Sequence, residues 1–272
     1  MRHDFCPGYP APYDALVTDY PDETTYPYDS FRVEWGPIFH RGRLDGSARV
    51  LVIGQDPATE EDVTRRILVG TAGQRVQGLL TRLGITKSYV MINTFLYSVY
   101  GQSGGTSHLK DAGIVAYRHQ WLDTLVEHND FDAVITFGTL ANEAFTAWAA
   151  TPSGQVAALY QAALLHPTYP ESAAASGQQS ESSAFRVLLA NWNKALPGLG
   201  AAITHTDQPA TLKRYGYTFK STDYTPIPEM DLPAGLPTWM RSTELWANRT
   251  GRTTDDKRAT LTAAVPADLR AW

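Results

Sequence analysis

The sequence predicts an α/β fold, a three-layer α/β/α arrangement around a central, mainly parallel sheet of four strands. Four short apolar runs of strand length are separated by longer stretches in which apolar residues recur at helical spacing. Strands that alternate with helices form parallel sheets covered by helices on both faces. Ligands of such sheets bind beyond the carboxyl ends of the strands. The residues that follow each apolar run are therefore the first candidates for a functional site.

The predicted strands and helices alternate along the central part of the chain. The strands are 48–53 (ARVLVI), 88–93 (SYVMIN), 131–137 (FDAVITF) and 161–166 (QAALLH), and the helices are 72–84, 111–129, 139–150 and 182–196. In the first helix Val76, Leu79 and Leu83 recur at helical spacing, and Gly84 is a suitable stop.

Composition divides the chain into a central domain, residues 48–206, and two extensions. Residues 1–47 are rich in Pro, Tyr and Asp and predict an irregular N-terminal wrap, in which VEWGPIFHRGRLDG (33–46) is compatible with a short strand or turn. Residues 207–272 are punctuated by Pro and lack the strand–helix alternation, so we expect a C-terminal extension packed on the core. This extension carries the basic residues Lys213, Arg214, Lys220, Arg241, Arg249 and Arg252.

Composition also excludes several classes of protein. A single cysteine, Cys6, rules out a disulfide within the chain and a four-cysteine zinc or iron–sulfur site. No apolar run has the length of a membrane span, and the N-terminus lacks the apolar region of a signal peptide, so a cytoplasmic monomer is expected. The formal net charge of −5 means that a nucleic-acid partner would require a local basic patch.

Polar side chains follow three of the predicted strands. Asp56 lies in a Gly-Gln-Asp-Pro turn after the first strand, Asn93 ends the second, and His166 ends the fourth. A carboxylate in this place can activate water or stabilise a developing cation, as glycosidic-bond cleavage requires. A histidine can donate to a departing group, and an asparagine amide can read the edge of a pyrimidine. Each residue alone is also compatible with an ordinary turn or cap; their placement at one edge of the sheet favours a site.

Five segments, in consistent order across about residues 48–195, resemble the uracil-DNA glycosylase superfamily. They are GQDP (54–57), LVGTAGQRVQGLL (68–80), YVMINTFLY (89–97), FDAVITFGTLANEAF (131–145) and LLHPTYPES (164–172). The resemblance implies a monofunctional DNA glycosylase that flips a nucleotide out of single- or double-stranded DNA and leaves an abasic site. It implies no metal and no cofactor.

Roles carry over only to matching positions. Asp56 would position or activate the water, His166 would stabilise the leaving base at O2, and Asn93 would read the base edge. Gln55 would contribute backbone donors. The remaining implied contacts with DNA are Arg65, Arg66, Gly73, Arg75, Thr168 and Tyr169, together with Arg82. For Gly73, at the predicted helix start, simple chain reversal is the alternative to phosphate binding, and for Tyr169 packing is the alternative to intercalation.

Two positions depart from the family pattern. Ala58 stands where the uracil-selective branch has a tyrosine that closes the pocket against a 5-substituent, and Leu68 stands where the iron–sulfur branch has an aromatic ring that stacks on the base. Both changes remove ring bulk, which favours a pyrimidine larger than uracil, such as a modified cytosine in phage DNA. That substrate predicts a role in antiviral defence. The alternatives are a uracil-DNA glycosylase of base excision repair and a DNA-binding sensor without catalysis.

Overall fold

The computed structural model describes residues 8–100, 104–242 and 244–270, so Cys6 lies outside the described residues. It contains a central sheet of five strands, β1 (Arg41–Gly42), β2 (Val50–Gly54), β3 (Tyr89–Asn93), β4 (Ala133–Phe137) and β5 (Tyr160–Leu164). Their order is β1-β3-β2-β4-β5, with β1 antiparallel to β3 and the other four strands parallel. The predicted α/β fold with a mainly parallel sheet is confirmed.

The number of strands was predicted wrongly, as four instead of five. The additional strand β1 pairs Arg41 with Met91 and Gly42 with Val90. It consists of two residues inside the polar segment HRGRLDG, which carries no alternation of apolar residues. Residues 33–46 are compatible with a short strand or turn, but a strand of two residues joins the sheet only through its partner β3, so the local sequence did not indicate that it belongs to the sheet.

Four longer helices lie where the apolar spacing predicts them, and six shorter ones lie before, between and after the strands of the described residues. In chain order they are α1 (Tyr13–Thr18), α2 (Thr59–Thr64), α3 (Thr71–Arg82), α4 (Gly104–His108), α5 (Ala112–His128), α6 (Thr139–Ala149), α7 (Pro152–Ala157), α8 (Tyr169–Ala175), α9 (Glu181–Ala202) and α10 (Thr254–Ala259). Helix α9 runs beyond its predicted end and contains Pro197. None of the helices formed by the described residues combines the length and apolarity needed to cross a membrane.

The two faces of the sheet bury separate apolar cores. Val50 and Val52 of β2 pack with residues of α3 and α9, including the fully buried Trp192. Leu51 and Ile53 of the same strand point to the opposite face and pack with residues of α5 and α6. Burying one such side chain completely contributes about 1.5–3 kcal/mol. Because both faces are covered, β2 reads as a continuous apolar run rather than an alternating one.

A buried charge cluster joins the C-terminal extension to the sheet. The Asp231 carboxylate, 1% exposed, accepts hydrogen bonds from Arg41 Nη1 (3.1 Å), from Arg43 and from the Tyr89 hydroxyl. Arg41 is completely buried at the edge strand β1 and needs this counter-charge. The C-terminal extension therefore neutralises a buried charge at the edge strand of the central sheet.

Candidate functional site

The candidate site begins where β2 ends. The parallel register places Gly54 beside Asn93 of β3, so the residues after both strands emerge at one edge of the sheet. The half-buried Asp56 follows: its Oδ2 accepts a hydrogen bond from the Val99 amide (3.0 Å), and its Oδ1 accepts one from Gln55 Nε2 (3.2 Å). Burial raises the pKa of Asp56 to about 6, against the lowering effect of these hydrogen bonds and of the nearby Arg249 charge. The carboxylate is thus held in one orientation, and its pKa lies just below neutral pH.

Asn93 lies directly against the backbone of β2. A Cβ atom at Gly54 would collide with Asn93 Oδ1, so only glycine leaves room for this amide. Among the described residues, Asn93 Nδ2 is buried and has no hydrogen-bond partner. Buried polar groups are usually paired, so this donor is suited to receive a ligand.

Helix α2 carries three consecutive buried acids, Glu60, Glu61 and Asp62. The Glu61 carboxylate accepts a hydrogen bond from the Ala58 amide (2.5 Å) and another from the Leu68 amide. Burial raises the pKa of Glu61 to about 8. Glu61 thereby ties both ends of the 58–68 segment together. Leu68 itself is buried with a φ of 54°.

The turn after β5 contributes the next part of the site. Asn191 and Trp192 of α9 hold the backbone of Leu165, through Asn191 Oδ1 to the amide (2.9 Å) and Trp192 Nε1 to the carbonyl (3.0 Å). The next residue, His166, accepts a hydrogen bond at Nδ1 from the Thr168 amide (3.3 Å), and the Thr168 hydroxyl lies 2.9 Å from the same atom. An amide can only donate, so Nδ1 is unprotonated and the proton of the neutral ring lies on Nε2.

Burial also determines the charge of this histidine. It lowers the pKa of His166 to about 4, so the ring is neutral at physiological pH. A neutral imidazole with its proton on Nε2 is a hydrogen-bond donor toward the site and does not compete with Asp56 for a proton.

A cavity of about 440 Å³ is lined by residues of both segments. Five of the predicted site residues line it: Gln55, Asp56, Ala58, His166 and Thr168. The predicted Asn93 and Leu68 do not line it; both lie beside Gly54, and Asn93 lines a separate, smaller cavity. A volume of this order is typical of small-molecule sites.

A larger cavity, of about 760 Å³, lies near the amino end of β4. Its lining includes Asp130, Phe131 and Asp132, which precede the strand, and it contains neither Asp56 nor His166. Since ligands of parallel sheets bind at the carboxyl ends of the strands, we place the candidate site in the cavity of about 440 Å³.

The predicted phosphate-binding arginines are engaged with protein groups. Arg75, with 4% of its side chain exposed, donates to the Pro167 carbonyl (2.7 Å) and pairs with Glu171 (2.6 Å). Arg65 donates to the Trp35 carbonyl (2.6 Å). Two further guanidinium groups have protein partners as well: Arg66 donates to the Arg65 carbonyl (2.9 Å), and Arg82 pairs with Asp223. A phosphate contact would require release of these partners, and it stays a prediction.

Gly73 and Tyr169 have evident structural roles. A Cβ atom at Gly73 would collide with the Leu68 carbonyl, so this glycine permits the tight turn into α3. Tyr169 packs against the core, and its hydroxyl accepts a hydrogen bond from Gln179 Nε2 (2.7 Å). For both residues, contact with DNA remains untested.

Two residues of the site escaped the sequence reasoning. The Val99 amide orients Asp56, and a backbone donor has no signature in the sequence. Arg249 lines the cavity from the C-terminal extension, although in sequence it is one of several basic residues there. In the part of the chain that the structure describes, no group of three or more His, Cys, Asp and Glu side chains is arranged to hold a metal ion.

The fold and the cavity define a three-layer α/β protein with its candidate site at the carboxyl edge of the sheet. Residues 41–220, well over half of the chain, match the model of the Uracil DNA glycosylase superfamily, and the chain belongs to that superfamily. The resemblance predicted from the sequence is confirmed. Members of this superfamily generally hydrolyse N-glycosidic bonds in DNA. No match was found among curated proteins.

Proposed function

We propose that this protein is a monofunctional DNA glycosylase that excises a pyrimidine carrying a bulky 5-substituent. The observation that carries the proposal is the cavity shared by Asp56, His166 and Ala58. Asp56 and the neutral His166 both line this cavity, and a methyl group, rather than an aromatic ring, stands at the lining position next to Pro57.

Asp56 and His166 would carry out complementary parts of one reaction. Ionised Asp56 takes a proton from water as the water oxygen attacks C1′ of the flipped nucleotide. The bond between C1′ and the base nitrogen breaks, and the departing base gains negative charge. His166 Nε2–H donates a hydrogen bond to that base at O2, which stabilises the charge without transferring a full proton. The products are an abasic site and the free base.

The base edge is assigned to Asn93 in this proposal. Its Oδ1 lies next to Gly54, and its Nδ2 donor is buried with no hydrogen-bond partner among the described residues. An amide group offers one donor and one acceptor face, so it suits either a uracil-type or a cytosine-type edge. Selection among pyrimidines therefore depends on space at the 5-position, where Ala58 replaces a ring.

The proposed substrate also suggests a biological role. Bulky 5-modified cytosines occur in phage DNA, so an enzyme that removes them would act in antiviral defence. Excision of uracil alone would instead indicate base excision repair.

A paired excision assay tests the proposal. The protein is incubated with DNA containing uracil and with DNA containing bulky 5-modified cytosine, and alkali reveals the abasic sites. Release of the modified base is expected; release of uracil alone would refute the substrate assignment. Ala58→Tyr should reduce excision of the modified base more than that of uracil. Ala267→Tyr, at an exposed position that does not line the cavity, is the matched control.

A further inference from the structure

Arg249 enters the candidate site from outside the region that matches the superfamily. It lies at the end of β6 (Ala247–Arg249), which pairs with β7 (Leu261–Ala263), and the match ends at residue 220. Arg249 is nevertheless part of the cavity lining together with Asp56 and His166. It is the one Lys or Arg side chain among the described residues that line this cavity.

The guanidinium group connects two walls of the cavity. Nη1 donates to the Thr59 hydroxyl (3.2 Å) at the start of α2, and Nη2 pairs with the Asp62 carboxylate on the same helix. Nη2 also lies 3.3 Å from the Ser98 hydroxyl, in the loop that follows β3. Asp62 has 1% of its side chain exposed. One side chain of the extension thus holds α2 and the loop after β3 together.

The loop held by Arg249 is the loop that orients Asp56. Val99 follows Ser98 and donates its amide hydrogen to Asp56 Oδ2 (3.0 Å). The next residue, Tyr100, is sandwiched between two guanidinium groups, with Arg32 and Arg258 each 3.9 Å from its ring centre. Arg258 belongs to α10, which lies between β6 and β7. The C-terminal extension therefore contacts Ser98 and Tyr100, the two residues that flank Val99 in the sequence.

Apolar packing fixes the hairpin on α2. Trp246, immediately before β6, is 1% exposed and clusters with Met240, Ala247 and Val63 of α2. The Ala264 amide donates to the Trp246 carbonyl (2.8 Å) and closes the hairpin. Because the backbone of β6 is anchored on α2, the guanidinium group of Arg249 is held in place from its own strand.

We propose that Arg249 is a positioning residue of the candidate active site, which bridges α2 and the loop after β3 and thereby fixes the geometry and charge of Asp56. This inference rests on the proposed function for its catalytic consequence. The effect of Arg249 on the position and charge of Asp56 is expected in the free protein, whatever the substrate.

The charges around Asp56 make the inference testable. Asp56 interacts electrostatically with Glu61 on α2 and with Arg249 on β6, and His166 lines the same cavity. Asp62 is the counter-charge of Arg249, and Arg32 lies near both. Loss of Asp62 leaves the positive charge of Arg249 without its counter-charge and so favours ionised Asp56. The positive charge of Arg249 lowers the pKa of both Asp56 and Asp62, which burial raises. Removing Arg249 and removing Asp62 should therefore shift the titration of Asp56 in opposite directions. A merely structural role predicts the same disturbance from either change.

The first measurement is the titration of Asp56 in the free protein, followed by carbon-13 NMR of labelled aspartate carboxyl groups. Arg249→Gln should raise the Asp56 midpoint by roughly half a pH unit or more, and Asp62→Asn should lower it. Arg249→Lys keeps the charge, so its midpoint should stay near that of the wild type. Arg252→Gln, exposed in the same connection, is the control and should change nothing.

The second measurement is the single-turnover rate of base excision by the same variants. A lysine cannot reach Asp62, Thr59 and Ser98 together, so Arg249→Lys should lower the maximal rate roughly tenfold or more while DNA affinity changes little. Unchanged titration and unchanged rate in Arg249→Gln would overturn the proposal. So would shifts of the same sign in Arg249→Gln and Asp62→Asn. If the wild type excises no tested base but the opposite shifts occur, the proposed substrate fails while the positioning of Asp56 stands.

Discussion

The rate of base excision should fall steeply when Asp56 is protonated. Burial raises the pKa of this carboxyl to about 6, and only the ionised form accepts a proton from water. Burial also lowers the pKa of His166 to about 4, so the histidine keeps one charge state down to pH 5. Asp56 is therefore the group expected to produce the acid limb of the profile.

The size of the effect follows from this value. With a pKa of about 6, roughly nine-tenths of the molecules carry an ionised Asp56 at pH 7 and roughly one-tenth at pH 5. The excision rate should therefore be about tenfold lower at pH 5 than at pH 7. An unperturbed aspartate, with a value of 3.8, would give nearly the same rate at both.

The assay is a single-turnover reaction with saturating protein on labelled DNA between pH 5 and 7. DNA binding is measured over the same range, so that weaker binding is not mistaken for slower chemistry. Asp56→Asn should lower the rate roughly 10²–10⁴-fold at all pH values while DNA binding persists. A rate that stays constant from pH 7 to pH 5 would refute the reasoning, as would full activity of Asp56→Asn. Loss of excision in Asp56→Asn with DNA binding retained distinguishes a catalyst from a DNA-binding sensor without catalysis.

Three further predictions concern the framework of the site. Asp231→Ala removes the carboxylate counter-charge of the fully buried Arg41 and should destabilise the protein by about 3–5 kcal/mol in chemical denaturation; a loss below about 1 kcal/mol would contradict the role of this cluster. Gly73→Ala drives a methyl group into the Leu68 carbonyl and should cost about 1–3 kcal/mol, whereas Gly216→Ala, with open space around it, should be nearly neutral. Because burial raises the pKa of Glu61 from 4.5 to about 8, the folded state binds that proton more tightly, and the free energy of unfolding should fall as pH rises through this interval. Denaturation curves at several pH values check the sign, and rising stability would contradict it.

The sequence alone was sufficient for the fold class and for the edge of the sheet that bears the site. Parallel strands that are buried on both faces appear in the sequence as continuous apolar runs. The residues that follow such runs lie together at the carboxyl edge of the sheet. Asp56 and His166 were found in this way, and the structure brings both to one cavity. The short strand β1 lies in the segment expected to hold a short strand or turn, but it was not counted in the sheet because two residues in a polar segment carry no periodicity.

Other features depend on contacts between residues that are distant in sequence. The tautomer and charge of His166 follow from Thr168 and from burial, and the pKa of Asp56 depends on the Val99 amide and on Arg249. The predicted phosphate-binding Arg75 is paired with Glu171, 96 residues away. A local sequence pattern shows which side chains are apolar or charged, but it does not show which charged side chains pair with each other.

The sequence by itself therefore determined the alternation of the main strands and helices along the chain, which local periodicity sets. It also determined which types of side chain follow the strands. Only the tertiary structure decided that the C-terminal extension supplies Arg249 to the cavity and Asp231 to the buried arginines. The physical reason is that electrostatic and hydrogen-bond partners are selected by proximity in the folded chain, where a buried charge must find its counter-charge wherever the backbone brings one.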